Sequence, residues 1–496
     1  MDESLRALFF ILALSFTAFW FLAKPLSSVI TKYEFTHYRN SWLIIVIAAF
    51  LSPSFWFFLF VTIIILIIIS SQRPEQRIIY YFLLLCAIPN VTNEIPGFGG
   101  INYIFDISYH RLLIIILLIP IFFISARREN NLPLFTVLSD RFLLLYLLLV
   151  TILVFRDNTF TNSLRDIFIL WLDVFIPYYI FSRYISSKEQ FNSIFAILLM
   201  TITPLAIIGI FETIKHWHLY HAFANNLTGQ HGFYGSRAGL LRSYTVFDSS
   251  ITFGFVLIIG FGALLYIKPL LKFSHHFYLL ATIIIVALLS TLARGPWVGF
   301  VAFILAYLWT SKDRIKNLLL VLLLFTVIFP LLFVTKFGEK FLELLPFIGE
   351  TGANTVSYRQ QLLENAWIVI QRSPLFGSTN YKETPELESM RQGQGIIDLV
   401  NTYIQISLES GLVGLILFLM IFLTLIFASY KIIKKLPPDN TDLIRLGRVL
   451  IAILIGTMVT IGTVSSVGHI PIFYWAFAGI TTAYIYVAKQ AVTEKG

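Results

Sequence analysis

An all-α, polytopic bundle of 12 to 15 transmembrane helices is the fold class this sequence predicts, and three observations predict it. Of its 496 residues, 57% are hydrophobic and only 13% are charged, about half the share of an ordinary soluble chain. Apolar runs recur that approach the ~20 residues a helix needs to cross a bilayer. Nearly all of the 36 lysines and arginines stand in the segments between those runs, the arrangement that the positive-inside rule produces. Outer-membrane barrels are written instead in alternating segments of about ten residues, so a barrel is excluded. The net charge of +9 follows from topology and calls for no nucleic-acid partner. Cys86, the single cysteine, lies in an apolar stretch; it offers no internal disulfide and no cluster for zinc or iron–sulfur.

The elements follow in order. The run 5–23 lacks the strongly basic start of a secretory signal and leads on into more apolar segments, so it reads as a transmembrane helix. Residues 42–70 are long for one span and are broken by Ser52-Pro53-Ser54, which gives either one kinked helix or a short hairpin. Further spans are expected at 78–89, 112–125, 142–155, 166–184, 193–211, 251–267, 277–292, 297–310, 318–334, 412–429, 449–464 and 472–487.

Basic residues gather in alternate loops: Arg73 and Arg77; Arg127, Arg128 and Arg141; Arg183 and Lys188; Lys268 and Lys272; Lys312, Arg314 and Lys316; Lys431, Lys434, Lys435, Arg445 and Arg448. Those loops are expected on the cytoplasmic side. The other side receives 90–111, 156–165, 212–250, the tight turn 294–296 and 335–409. Lys24, Lys32 and Arg39 fit this scheme only if 42–70 is a hairpin. Three regions result: 1–334, a transmembrane region with the outer loop 212–250; 335–409, a large extracytoplasmic loop domain; and 410–496, the C-terminal transmembrane helices.

Loop 335–409 is too long for a plain connection and carries its own helical signals. Residues 339–347 have an amphipathic pattern. Leu362, Leu363, Ala366, Trp367 and Ile370 recur at helical spacing behind a Ser357 cap, and Thr384-Pro385-Glu386 reads as a helix start. The chain shows no internal repeat and no matched pair of broken helices, which argues against an inverted-repeat transporter and leaves transport as an alternative.

Three outer arginines stand in settings a plain loop does not require. Arg242 lies in Leu240-Leu-Arg-Ser-Tyr-Thr-Val-Phe-Asp248, just ahead of a span; Arg294 lies in the turn Thr291-Leu-Ala-Arg-Gly-Pro-Trp297; Arg359 lies in Ser357-Tyr-Arg-Gln-Gln-Leu-Leu-Glu-Asn-Ala-Trp367. Guanidinium is planar, permanently charged and able to grip two phosphate oxygens, so several around one cavity suit a pyrophosphate. Each has a plainer reading as well: snorkelling to lipid phosphate, or pairing with an acid such as Glu364. His216, His218, His221 and His231 lack the spacing of a metalloprotease helix, and no metal or other cofactor is expected. No Asp-x-Asp pair is present to hold a nucleotide sugar through a divalent ion.

These residues together resemble the superfamily of O-antigen ligases and polysaccharide polymerases, the Wzy/WaaL-type proteins. Thr291-Leu-Ala-Arg-Gly-Pro-Trp297 is similar to the family's Ser-Arg-Gly-x-Trp turn. Tyr358-Arg359 through Ala366-Trp367, closed by Pro374-Leu-Phe-Gly377, looks like its arginine helix with a Pro-x-x-Gly end. Asn401-Thr-Tyr-Ile-Gln-Ile-Ser-Leu-Glu-Ser-Gly-Leu-Val-Gly-Leu415 resembles its Asn-x-Tyr segment and glycine-leucine helix start. The likeness covers roughly residues 242–415; nearer the N-terminus only the topology is similar.

The resemblance implies a GT-C-like, metal-independent, inverting glycosyltransferase in the bacterial inner membrane, with its site facing the periplasm and no cofactor. Its donor would be an undecaprenyl-pyrophosphate-linked glycan and its acceptor a glycan or a lipid, with a chain-length regulator and a flippase as further partners. Arg294, Arg359 and Asp398 are the expected catalytic residues; Arg242, Asn401, Tyr403, Trp297 and Tyr358 are the expected substrate contacts. Family ligases carry a histidine immediately before the Asn-x-Tyr segment, where this chain has Val400. That departure favours a polymerase joining repeat units over a ligase delivering glycan to lipid A-core or to protein. It also brings forward Asp398 as a base, which could equally be a plain acid near a helix start.

Overall fold

The computed structural model describes residues 3–493 except 71–73, 127–132, 134, 157, 229–234, 238, 318, 320, 322, 324–325, 327–352, 393–394 and 467. Most of the expected span 318–334, the expected helix at 339–347, and Arg73, Arg127, Arg128 and His231 lie outside the described residues. The N-terminal half contains α1 (Glu3–Ala23), α2 (Lys32–Leu51), α3 (Phe55–Ser70), α4 (Pro74–Leu85), β1 (Thr92–Pro96), β2 (Tyr103–Ser108), α5 (Tyr109–Leu113), α6 (Ile119–Ala126), α7 (Leu138–Leu153), α8 (Phe160–Leu170), α9 (Ile176–Tyr184) and α10 (Lys188–Lys215). There follow α11 (His221–Thr228), β3 (Ser236–Arg237), β4 (Leu240–Leu241), α12 (Ser250–Ile267), α13 (Ser274–Ser290), α14 (Arg294–Trp309), α15 (Ala353–Arg372), α16 (Pro385–Glu388), α17 (Thr402–Lys435), α18 (Thr441–Ile461) and α19 (His469–Thr493).

Among the described residues, α1, α10, α12, α17, α18 and α19 are each long and apolar enough to cross a membrane, and shorter apolar helices stand among them. The chain is a polytopic helical bundle, as its composition predicts. Helices α10, α12 and α19 are buried almost all round, the expected place for helices that are apolar on every face.

The Ser52-Pro53-Ser54 break resolves as a hairpin between α2 and α3. Ser52 Oγ donates to the Ala48 carbonyl at 2.6 Å and closes α2; Ser54 Oγ accepts from the Phe57 N–H at 3.3 Å and opens α3. Pro53 has no N–H with which to carry a helix across. The hairpin brings the chain back to the end it left, and contacts agree. The Lys272 N–H donates to the Pro25 carbonyl at 3.4 Å, Ser28 Oγ donates to the Leu270 carbonyl, Lys188 pairs with Asp442, and Arg445 Nε donates to the Tyr266 carbonyl at 3.0 Å. At the opposite end Arg165 donates to the carbonyls of Tyr103 and Ile104. Loops that the charge pattern groups together therefore meet one another at the same end of the bundle.

Two features had no counterpart in the apolar pattern. The hairpins β1–β2 and β3–β4 stand on the loops that charge assigns to the outer side; the first turns through Gly99 and Gly100 at φ +61° and +89°. Single π-helical turns at Ile114–Leu118 and Trp171–Phe175 interrupt two spans. Each inserts one residue and re-aims its neighbours. Asp173, inside the second, meets Arg111 Nε and Nη2 at 3.1 Å.

An ion pair inside the bundle ties α7 to α9. Arg183 reaches Asp140 through Nη2 at 2.5 Å and Nη1 at 3.0 Å, and the Tyr178 hydroxyl donates to the same carboxylate at 2.7 Å. Both charges are buried. Asp140→Ala should cost about 3–5 kcal/mol, because it strands the guanidinium. Thermal unfolding in detergent would show this as a large drop in midpoint, and the Asp140→Leu/Arg183→Met pair should recover most of it.

Candidate active site

The site begins with a close approach of two helices. Gly295 and Gly299 of α14 face Thr463 and Thr460; a Cβ at either glycine would strike the facing threonine hydroxyl, and Gly299 also lies against the Gly456 backbone. Small residues let backbones come this near. Gly254, in the second turn of α12, lies on Pro296. The Thr291–Trp297 turn is thus held from two sides. Trp297 is buried and donates its indole N–H to the Leu288 carbonyl at 2.9 Å, so it braces the turn from within. Arg294 is the first residue of α14.

A second wall comes from the 212–250 loop, organised by a carboxylate that sequence reasoning passed over. Glu212 is fully buried and accepts from the backbone N–H groups of Leu219 at 3.1 Å, Tyr244 at 3.3 Å and Thr245 at 3.1 Å, and it meets His218 Nδ1 at 3.3 Å. Ser243 ties the same segment to Ser290, N–H to carbonyl at 3.2 Å and hydroxyl to hydroxyl at 2.8 Å. Two arginines are thereby carried to the turn. Arg242 Nε lies 3.5 Å from the Thr291 carbonyl, and Arg237 Nη1 donates to the Leu292 carbonyl at 2.8 Å. Arg237, in a short strand beside an ordinary Gly-Ser pair, gave no local signal.

The segment from α15 to the start of α17 supplies the third wall. Helix α15 buries Leu362, Ala366, Val369 and Ile370 in a small core shared with Tyr381, Leu387 and Leu408. It begins at Ala353, so Ser357 lies inside the helix and is not its cap. Arg359 Nη2 donates to the Thr463 carbonyl at 3.1 Å, while its Nε is buried without a hydrogen-bond partner. The Tyr358 hydroxyl donates to the Asp398 carbonyl at 2.9 Å.

Asp398 is not on a helix start; it lies three residues ahead of the cap of α17. Its Oδ1 accepts from the Val400 N–H and the Ser465 hydroxyl, each at 3.1 Å. Asn401 is that cap, Oδ1 accepting from Tyr403 N–H at 2.8 Å and Ile404 N–H at 3.3 Å. The Tyr403 hydroxyl turns inward to the Met458 carbonyl at 2.6 Å.

The Pro374–Gly377 motif has a mechanical reason. Gly377 and Gly411 both sit at positive φ, and each lies so close to the other's strand that a Cβ would strike a carbonyl, Leu408 from Gly377 and Leu375 from Gly411. The Ser378 N–H donates to the Leu408 carbonyl and the Leu412 N–H to the Pro374 carbonyl, both at 2.8 Å. Arg156 locks this clasp by donating to the carbonyls of Phe376, Gly377 and Glu409, each at 2.8 Å.

The three walls link four guanidinium groups electrostatically, Arg237 to Arg242, Arg294 and Arg359, and Arg294 to Arg359. Burial lowers the Arg237 pKa, and the charges of Arg294 and Arg359 lower it further. Arg242 is pushed down to about 10 by burial and by Arg237. Burial also lowers Arg359, with Asp398 acting against the shift and Arg294 adding to it. Positive charge outweighs negative here, with Asp398 acting against the shift at Arg359 alone, an arrangement that favours a bound polyanion. Of the expected site residues, Arg242, Arg294, Arg359 and Asp398 come together; Trp297, Tyr358 and Tyr403 place their polar hydrogens on backbone carbonyls.

Three of the outer-loop histidines serve the scaffold. His218 holds Glu212 and stacks on Tyr244 at 3.9 Å, His216 ends α10 in the left-handed region, and His221 meets Asn225 at 3.0 Å. Among the described residues, no group of three His, Cys, Asp or Glu side chains is placed to hold a metal ion.

A depressed folded pKa on a base means that its charge costs stability wherever it is protonated, below about 10 for Arg242; a bound anion offsets that cost. Inorganic pyrophosphate should therefore raise the unfolding temperature at neutral pH, and the gain should fade as pH climbs through about 10. Arg237→Ala and Arg359→Ala should each weaken pyrophosphate binding by roughly 10-fold or more, the scale of a charge-assisted contact. Calorimetric titration across pH and salt checks both.

A search of curated proteins returned no match to this chain. A family model described as O-antigen ligase matches residues 278–419, a segment that includes Arg294, Arg359, Asp398, the glycine clasp and the first half of α17. The match of residues 278–419 supports the O-antigen ligase and polysaccharide polymerase superfamily that the chain's motifs resemble.

Proposed function

We propose that this protein is a metal-independent, inverting glycosyltransferase of the O-antigen or exopolysaccharide polymerase type. It joins undecaprenyl-pyrophosphate-linked repeat units on the outer face of the bacterial inner membrane. The observation that carries this reading is the convergence of Arg237, Arg242, Arg294 and Arg359 around one turn at a single end of a transmembrane bundle. Breaking a glycosyl–pyrophosphate bond puts negative charge on the leaving diphosphate. Preorganised guanidinium donors meet that charge as it develops, without waiting for solvent to reorient. The positive charge comes from the chain itself, and the reaction as proposed calls on no metal ion.

On the acceptor side Asp398 stands opposite Arg359. Both of its hydrogen bonds fall on Oδ1, which leaves Oδ2 to orient an incoming sugar hydroxyl. Asn401 commits its carbonyl oxygen to the helix cap and would contribute through its amide N–H groups. Loops rich in lysine and arginine gather at the opposite end, which by the positive-inside rule supports an outer placement of the cradle. A flippase that delivers the donor and a chain-length regulator are the partners proposed for it in the cell.

The ligase reading is favoured by one observation, the description of the matching family as O-antigen ligase. Val400, standing where ligases carry histidine, favours the polymerase. The test is purified protein in lipid with synthetic undecaprenyl-pyrophosphate repeat units as sole substrate. A ladder of longer lipid-linked glycans is expected, slowed about 10²- to 10³-fold by Arg294→Ala and still strongly reduced in Arg294→Lys, which keeps the charge and loses the two-pronged grip. Product only after lipid A-core is added would assign a ligase. Intact passage of substrate with no new bond would assign transport.

A further inference from the structure

A second acid–base pair stands beside the arginine cradle, built from residues that no family motif in this chain includes. The connection from α18 to α19 runs along the site. The Thr463 carbonyl receives Arg359, the Ser465 hydroxyl donates to Asp398, and Gly468, at φ +59°, lies so close to Asp248 that a Cβ there would collide with its carboxylate. Asp248 ends the segment that carries Arg242 and lies just ahead of α12, whose Gly254 packs on Pro296 next to Arg294. Arg294 and Asp248 therefore flank the same short connection. Asp248 is exposed.

Behind Asp248 sits His469, 2% exposed, its ring edge-on to Phe247 at 5.0 Å. Neither ring nitrogen makes a hydrogen bond of normal geometry; the Asp248 carboxylate and the Leu85 carbonyl are its polar neighbours. A second buried histidine, His110, is within electrostatic reach of it. His110 is itself held, Nε2 at 3.1 Å from the Tyr81 hydroxyl and Nδ1 at 4.0 Å from Asp173, the carboxylate that also binds Arg111. Buried between the Asp248 carboxylate and the Leu85 carbonyl, the imidazole is placed to share a proton with Asp248.

We propose that Asp248 is the group that takes the proton from the acceptor sugar hydroxyl, with His469 behind it as the positioning residue that shares the proton. The inference rests on the glycosyltransferase reading above and adds to it the destination of the proton. In that step the acceptor oxygen forms its bond to the anomeric carbon. The bond from that carbon to the diphosphate oxygen breaks, its electron pair leaving with the diphosphate onto the arginines, and the hydroxyl proton passes to the Asp248 carboxylate. Asp398 orients the acceptor, and Asp248 receives its proton.

The experiment measures the pH dependence of bond formation by the full-length protein in lipid, with lipid-diphosphate-linked glycan as substrate, for the unaltered chain, Asp248→Asn, Asp248→Glu and His469→Gln. Stabilisation by inorganic pyrophosphate reports folding and the donor site. Asp248→Asn is expected to turn over ~10²-fold more slowly, with a flat pH profile and pyrophosphate stabilisation intact. Asp248→Glu should keep a pH-dependent rate, and His469→Gln should displace the acidic limb of the profile. An unchanged rate and profile in Asp248→Asn would overturn the inference, as would loss of pyrophosphate stabilisation in that variant, which would mark a structural role. No product from the unaltered chain would remove the glycosyltransferase reading and this inference together. Product from the unaltered chain and from Asp248→Asn alike removes this inference alone.

Discussion

Everything at this site depends on how closely α14 can approach the end of α18. Gly295, Gly299 and Gly456 present no side chain where the two helices meet, so the hydroxyls of Thr460 in α18 and of Thr463 just past its end rest against the α14 backbone. A larger residue at any of these positions would push Arg294 away from Thr463, and with it from the carbonyl that orients Arg359. The separation between two of the four cations is thus set by van der Waals contact in the bundle. Contact of this kind is stiff, because packed interiors yield little.

Around that contact the chain spends its polar interactions on holding backbone. Glu212 gathers three N–H groups from the loop that carries Arg237 and Arg242, and Trp297 secures the turn that carries Arg294. Asn401 and Tyr403 hold the start of α17 against α18. The guanidinium groups then stand together at a cost that Asp398 offsets only in part at Arg359. Under the proposed function, charge crowded in this way would be a reserve that a diphosphate ligand releases on binding, and transition-state stabilisation would draw on the same preorganisation.

Much of the scaffold was legible in the residues themselves. Apolar runs marked the spans, a proline between two serines marked the 52–54 break, and alternating basic loops sorted the two ends. Arg242, Arg294 and Arg359 stood out because each lies in a local setting that a plain loop does not need. What escaped notice is what only long-range packing creates. Arg237 sits in a two-residue strand with no periodicity to flag it, and its role depends on Arg294 and Arg359, far along the chain. Glu212 reads locally as one acid near a helix end; its burial follows from a loop that folds back more than thirty residues later. The two hairpins fall in polar connections where hydrophobic period carries little information. Asp398 reads from the sequence as an acid at a helix start, whereas Val400 at φ +41° takes the chain out of helical geometry just before the cap.

The glycine clasp has a consequence for biogenesis. Arg156, at the end of α7, donates to carbonyls 220, 221 and 253 residues further along the chain. Closure of the outer-loop domain therefore cannot be completed while that domain is being synthesised on its own. It waits for a helix threaded into the bilayer hundreds of residues earlier to be in place and correctly turned, and loop closures of this length are slow steps in assembly. A chain whose early helices insert in the wrong register would leave the clasp open and its glycines exposed, so the clasp doubles as a checkpoint on the topology of the whole N-terminal half.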